Sequence, residues 1–244
     1  MDIWSKNSRI PDSRPRDILA HTLPLSKTRI SRLISKSCLS GTFRKHLKRF
    51  KTMLPTTNPN SKNAVSLAEK WLSQKTVYID TETTGLEKND EIIEISIIDY
   101  DGNELLTSLV KPSQQIPLEA VKIHGISNEM VAASPVWPIV WSRARNFFYG
   151  RIIAAYNAPF DLRMMQQSHA RYRLSWHENL TFVDILPLYS DFRGVWDPIR
   201  RSMRYFKLEE AGAFFNITLP NAHRSTADAL LTRAILHSIA GKPY

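Results

Sequence analysis

The chain has one cysteine, Cys38, which excludes a disulfide framework and any thiolate zinc site built from this chain alone. A single thiol suits a reducing compartment. Eight glycines and 14 prolines among 244 residues exclude collagen-like and elastic repeats. The apolar runs are short and broken by charge, so none can serve as a transmembrane helix. No secretory signal is visible, because no unbroken apolar core follows a basic start. What is present is 43% apolar residues, enough for a real core and too many for a fully disordered chain. The length suits one domain with an appendage, or two small domains.

The formal charge of +10 is unevenly placed. Residues 1–74 carry 15 Lys/Arg and four acids, a net of +11, whereas residues 75–244 carry a net of −1. This asymmetry points to a basic arm on a near-neutral domain, with a polyanion as the usual partner. A solvated tail is the plainer alternative. An Arg- and Ser-rich organelle transit segment is a third, weakened by Asp2, Asp12 and Asp17.

Residues 1–26 hold Pro11, Pro15 and Pro24 and are expected to be poorly ordered. Ile30, Leu33, Ile34, Leu47 and Phe50 recur at helical offsets within 27–53, where Gly41 divides the helix in two. Residues 54–63 have linker composition, and a short helix is expected over 64–73. The domain boundary is therefore placed between 63 and 64: a basic arm over 1–63, a folded domain over 64–244. From Thr76 the pattern changes. Strands are expected at 77–79, 91–100 and 104–110, the last two forming a hairpin around Asp101-Gly102-Asn103. Helices follow at about 117–123, 127–132 and 136–148. A strand at 151–156 leads into a helix from Pro159, and a fifth strand covers 181–184. Helices at about 185–192, 207–215 and 225–239 complete the chain. Strands in hairpin order followed by β-α alternation predict a mixed sheet with helices on its faces, an α/β fold.

Asp80 and Glu82 stand two residues apart at the end of a buried strand, so their carboxylates share one face. Like charges so close resist joint ionisation, and a divalent cation would remove the conflict. On the pair alone, metal binding and a strand-end cap before Gly85 are equally good readings. Asp161, just past an apolar strand, alone reads as an ordinary helix N-terminal acid. Ser225 can cap a helix carrying Asp228 one turn in, with His223 on the loop before it. Alone, His223 reads as a surface histidine.

Together these residues are far more specific. Asp80-Thr81-Glu82-Thr83-Thr84-Gly85-Leu86, Asn157-Ala158-Pro159-Phe160-Asp161 and His223-x4-Asp228 occur in the order found in the DEDDh 3′–5′ exonucleases, which the sequence resembles over roughly residues 75–240. This is the family of the proofreading epsilon subunit of bacterial DNA polymerase III. Ile123-His124-Gly125-Ile126 and Lys207–Phe215 resemble two further family segments. Tyr156 departs from the pattern, since many relatives have histidine there; packing beside the site is expected to differ. Because the sequence ends soon after its last expected helix, a counterpart of the epsilon subunit's polymerase-binding extension is not expected.

The resemblance implies a ribonuclease H-like five-stranded sheet and hydrolysis assisted by two Mg2+ ions, with Mn2+ as substitute. It implies that Asp80 bridges both ions, that Glu82 and Asp228 complete the first site, and that Asp161 holds the second ion. His223 becomes the general base, a role that suits an imidazole because its ordinary pKa, about 6.5, lies near working pH. Thr83, Leu86, Asn157 and Phe160 become contacts for the terminal nucleotide. His124 is read as structural or a substrate contact, and Asp184 as a cap.

Arg193, Arg200, Arg201, Arg204 and Lys207 alternate with Trp196, Tyr205 and Phe206, the composition of a single-strand track. Phe206 is read as core; for the other residues an ordinary loop whose aromatics pack in the core is an equal alternative. The leading reading is a 3′–5′ exonuclease on single-stranded or frayed DNA, releasing 5′-mononucleotides in proofreading, repair or end-trimming. Its partner is nucleic acid, DNA ahead of RNA, with a DNA polymerase or other replication or repair protein as a candidate and no membrane. An exoribonuclease on the same fold is the runner-up, and a weakly catalytic nucleic-acid-binding protein the third reading. A bacterial cytoplasm is the favoured compartment.

Overall fold

The computed structural model describes residues 59–217 and 223–244. The helix expected at 27–53, with its break at Gly41, lies outside the described residues. Pro59 opens the first helix, α1 (Pro59–Leu72). Proline is tolerated there because the N–H it lacks has no intrahelical partner in a first turn. Ser61, Ala64, Ala68 and Leu72 bury one face of α1, and the Ser61 hydroxyl donates to the Phe192 carbonyl at 2.7 Å. The expected linker over 54–63 therefore gives way to helix at Pro59. The boundary drawn between 63 and 64 falls inside a helix already packed on the domain.

Five strands form the sheet: β1 (Val77–Thr83), β2 (Ile92–Ile98), β3 (Glu104–Leu109), β4 (Ile152–Ala155) and β5 (Thr181–Asp184). Their order is β3-β2-β1-β4-β5. The pairs β1–β2 and β2–β3 are antiparallel, whereas β1–β4 and β4–β5 are parallel. This is the mixed sheet expected from the sequence. All seven residues of β2 are buried, which explains its near-continuous apolar run.

Alternation along β1 divides the core. Val77 and Ile79 face α4 (Trp137–Ala144) and α5 (Ala158–Arg171), packing with Trp137, Val140, Met164 and Met165. Tyr78 faces the opposite layer of α1, α6 (Ile185–Arg193), α7 (Leu208–Phe215) and α8 (Ser225–Ile239). Two short helices, α2 (Leu118–His124) and α3 (Asn128–Val131), close a smaller apolar cluster around Ile93, Ile116 and Ile126.

Between α6 and α7 the chain makes a two-stranded hairpin that periodicity does not reveal: β6 (Trp196–Asp197) and β7 (Ser202–Met203). Asp197 shapes its turn, its Oδ1 accepting from the N–H groups of Ile199 and Arg200 at 2.9 and 3.1 Å.

Candidate active site

Asp80 and Glu82 lie on the β1 face that carries Tyr78, and so look toward α8. There Asp228 sits in the first turn. Ligand oxygens of Asp80, Glu82 and Asp228 lie within 4.8 Å of one another. Asp161 arrives from the opposite layer in the first turn of α5, buried, its Oδ1 accepting from the Thr81 hydroxyl at 2.8 Å. Carboxylates from both faces thus meet at the carboxyl end of β1, beside the boundary between the antiparallel and parallel halves of the sheet.

Crowding shapes their charge. Burial, then the charges of Asp161, Glu82 and Asp228, hold the Asp80 carboxyl well above the usual range. Burial and the Asp228 and Glu94 charges push Glu82 up to about 8. Burial lifts Asp161 to about 7 against the pull of the Thr81 hydroxyl. Burial lifts Asp228 to about 6, with the His223 side chain and main chain drawing it back down. These are hard oxygen donors in mutual conflict, and the set fits a divalent cation of the Mg2+ or Mn2+ type.

A residue not singled out from the sequence organises this arrangement. Glu94 on β2 pairs across the strands with Glu82 and is buried. It accepts from the Arg224 guanidinium, from the Ser225 N–H at 3.0 Å and from the Ser225 hydroxyl at 2.9 Å. Burial would raise its pKa, but these donors win and hold it below the usual range. Two residues along β2, Ser96 Oγ lies 2.7 Å from Ser225 Oγ and 2.8 Å from Thr226 Oγ1. The start of α8 is therefore fastened to the sheet at Arg224, Ser225 and Thr226. This corrects the expected cap: Arg224 is the N-cap, with no side-chain cap bond, and Ser225 is the first helical residue. Its hydroxyl goes to Glu94 instead. The available signal was a charged residue inside the otherwise apolar run of β2, because a buried carboxylate demands a partner.

His223 precedes this anchor with a left-handed backbone, φ 63°, which a non-glycine residue adopts only under local constraint. Its half-exposed ring places Nε2 4.0 Å from Glu209 Oε1. Of the expected nucleotide contacts, Leu86 is 72% exposed and Asn157 is exposed at the left-handed N-cap of α5. Phe160 is half-buried beneath the Arg163 guanidinium, 5.2 Å from its ring centre, and Arg163 donates to the Leu86 carbonyl at 3.2 Å. The Thr83 side chain is buried and donates to the Gly85 carbonyl at 2.7 Å.

Gly85 is fixed by close approach rather than by backbone angle. A Cβ there would meet Asp90 Oδ2 at 2.5 Å. That same carboxylate accepts from the Thr84 hydroxyl and the Glu87 N–H, both at 2.7 Å, and so holds the turn carrying Leu86.

Asp184 is a cap, as expected, accepting from the N–H groups of Leu186 at 3.0 Å and Asn157 at 2.9 Å. Buried His124 accepts from the Ile126 N–H at 3.0 Å, and burial lowers its pKa, so it stands neutral in the wall of the fold. Tyr156 uses its hydroxyl to reach across to the Phe206 carbonyl at 2.8 Å.

The sequence matches the exonuclease family (RNase_T) over residues 77–236. It is 36% identical over 180 residues to the uncharacterized exonuclease CP81 of Escherichia phage 186, covering 71% of this chain and 92% of that protein. It is 29% identical over 167 residues to the DNA polymerase III subunit epsilon of Treponema pallidum, covering 65% of this chain and 75% of that one. Among solved structures, exonuclease X in complex with 5′ overhanging duplex DNA superposes with a TM-score of 0.51 at 25% identity, covering 68% of this chain and 91% of that one. Exonuclease I superposes with a TM-score of 0.56 at 21% identity, covering 69% of this chain and 41% of that one, a likeness of fold.

The raised carboxyl groups set the pH response of the metal-free protein. The folded state keeps protons that the unfolded chain has lost, so this contribution is full below the ordinary carboxylate range and fades as pH rises through 6 to 8. In chelator, the melting temperature is expected to fall between about pH 5 and pH 8. Asp80→Asn should flatten that fall by removing the most crowded charge. A steeper fall in the variant, measured by calorimetry, contradicts the crowding.

Proposed function

The chain belongs to the exonuclease family, a group of phosphodiester-cleaving nucleases, and from that premise we propose that it removes 5′-mononucleotides from the 3′ ends of DNA, single-stranded or frayed. The observation carrying this reading is the meeting of Asp80, Glu82 and Asp228 within 4.8 Å, with Asp161 tied to Thr81 between the first two. DNA is favoured over RNA by the relatives named as DNA polymerase III epsilon subunits and by the likeness to exonuclease X bound to DNA.

Asp80, Glu82 and Asp228 would hold one Mg2+ or Mn2+, and Asp80 with Asp161 a second. Such ions, when bound, supply Lewis-acid stabilisation of charge developing on the phosphoryl oxygens. The protein's own residues do the rest. Leu86 and Phe160 clasp the terminal nucleotide, and Asn157 and the Thr83 main chain border it. His223, exposed on its constrained turn, takes the proton from the water that attacks the terminal phosphorus. The bond to the 3′-oxygen of the preceding nucleotide breaks, that oxygen takes up a proton from solvent to become a 3′-hydroxyl, and the 5′-mononucleotide departs. Glu209 stands beside the imidazole, its Oε1 4.0 Å from Nε2.

The arm ahead of α1 is assigned an electrostatic role. It carries the chain's excess positive charge and holds nucleic acid without entering the chemistry.

Three measurements bear on this reading. With 3′- and 5′-labelled single-stranded DNA, duplex DNA and RNA, Mg2+ should support mononucleotide release from DNA 3′ ends. Release from 5′ ends, a preference for RNA, or full activity in excess chelator contradicts it. His223→Ala should lower the single-turnover rate by about 10²–10⁴-fold at neutral pH, with little change in substrate affinity. A rate within a few-fold of the parent removes His223 from the mechanism. A chain beginning just before Pro59 should bind DNA more weakly at low salt and show a flatter salt dependence, with saturated turnover nearly unchanged. An unaltered salt slope contradicts the arm's role.

A further inference from the structure

We propose that the β6–β7 hairpin is a stacking platform for the single strand whose 3′ end enters the carboxylate site; this rests on the nuclease reading above. The hairpin register pairs Trp196 with Met203, and the ladder continues through the Arg204 N–H to the Val195 carbonyl at 2.8 Å. Side chains alternate along each strand, so Trp196, Met203 and Tyr205 share one face, while Arg204 and Phe206 share the other.

The two faces have different fates. On the inner face Phe206 is buried against Tyr189, with ring centres 5.5 Å apart. The half-exposed Arg204 guanidinium lies 5.0 Å from the Phe206 ring and 3.7 Å from Glu210 Oε1. Arg193 is committed inward, 4.0 Å from the Phe214 ring centre and donating to the Tyr189 hydroxyl at 2.7 Å. On the outer face Trp196 is 57% and Tyr205 54% exposed, and Ile199 at the turn is 93% exposed. Large rings left this open on a hairpin held by only a few ladder bonds do not stabilise the fold.

Charge identifies the occupant. Residues 193–207 hold five basic side chains and one acid. Arg200 and Arg201 stand exposed at the turn, with Arg200 Nε 3.9 Å from Asp197 Oδ2. Interleaved aromatic and cationic groups suit unpaired bases and their phosphates, because every base has a face to stack and every linkage a negative charge. Place supports the same occupant. The chain leaving the hairpin is tied to the site's rim by the Tyr156 hydroxyl at the Phe206 carbonyl, and Tyr156 leads directly into Asn157. Two residues into α7, Glu209 faces His223. The chain leaving the hairpin is thus tied beside the turns that carry Asn157 and His223, so a single strand stacked on the open face would have a short path to the carboxylates.

The test is equilibrium binding of a fluorescent deoxythymidine dodecanucleotide to the full chain, in chelator so that no cleavage intervenes, and at raised salt to weaken contacts from the basic arm. Trp196→Ala/Tyr205→Ala is expected to raise Kd about tenfold or more at an unchanged melting temperature. A Kd within twofold of the parent overturns the platform and leaves the exposed face to a protein partner. Arg200→Ala/Arg201→Ala removes no ring and is expected to reduce the slope of log Kd against log salt by about 1.4; an unchanged slope overturns the charge argument. Should the parent release no mononucleotide once Mg2+ is supplied in place of chelator, while both variants shift binding as expected, the nuclease reading fails and the platform stands.

Discussion

The structure turns on an electrostatic conflict at one end of β1. Asp80, Glu82, Asp161 and Asp228 are gathered where burial penalises each charge and nearby carboxylates add to the penalty. A fold optimised for stability alone would place a cation among them or separate them. Here Arg224 relieves Glu82 only in part, because its guanidinium is engaged by Glu94. Carboxyl groups held in this state are an acceptor surface for divalent cations, and the rest of the domain keeps them there against their mutual repulsion.

How they are kept there is visible in the polar bonds between sheet and helices. Glu94 and Ser96 fix the first turn of α8, so Asp228 cannot swing away from Asp80 and Glu82. Asp184 caps α6 while binding the Asn157 N–H, which sets the entry of α5 and with it Asp161. The β1–β2 register shifts between Glu82 and Thr83, and bulges of this kind commonly re-aim side chains beside active sites. Immediately beyond, the Asp90 carboxylate nearly touches the place where Gly85 would carry a Cβ. A larger residue at this turn, which presents Leu86, would have to push the Asp90 carboxylate aside.

Much of this was legible in the sequence for identifiable reasons. Apolar periodicity located all five sheet strands and the helices on both faces, because these elements bury full apolar stripes in a two-layer core. Asp80 and Glu82 could be placed on one face from their spacing alone. Other features depend on pairings that no local pattern encodes. Glu94 and Arg224 stand 130 residues apart, so neither announces the other, and Ser225 looked like a cap because its use by Glu94 was hidden. The start of α1 was missed because Pro59 and its polar neighbours read as linker until Ser61 meets Phe192. The hairpin after α6 has strands of two residues, too short for periodicity to register.

Charge of opposite sign falls in separate stretches of the sequence: crowded acids on β1, α5 and α8, and a basic excess in residues 1–74 and at the hairpin turn. The cation-acceptor character of the acidic cluster is the central claim, and proton release on ion binding tests it most directly. Mn2+ should be titrated calorimetrically into the metal-free full chain at neutral pH, in two buffers of different ionisation enthalpy. Because Glu82 is pushed up to about 8 and Asp161 to about 7, both are partly protonated before the ion arrives, and binding is predicted to expel protons, giving buffer-dependent heats. Failure of Mn2+ to bind, or heats identical in the two buffers, would contradict the account.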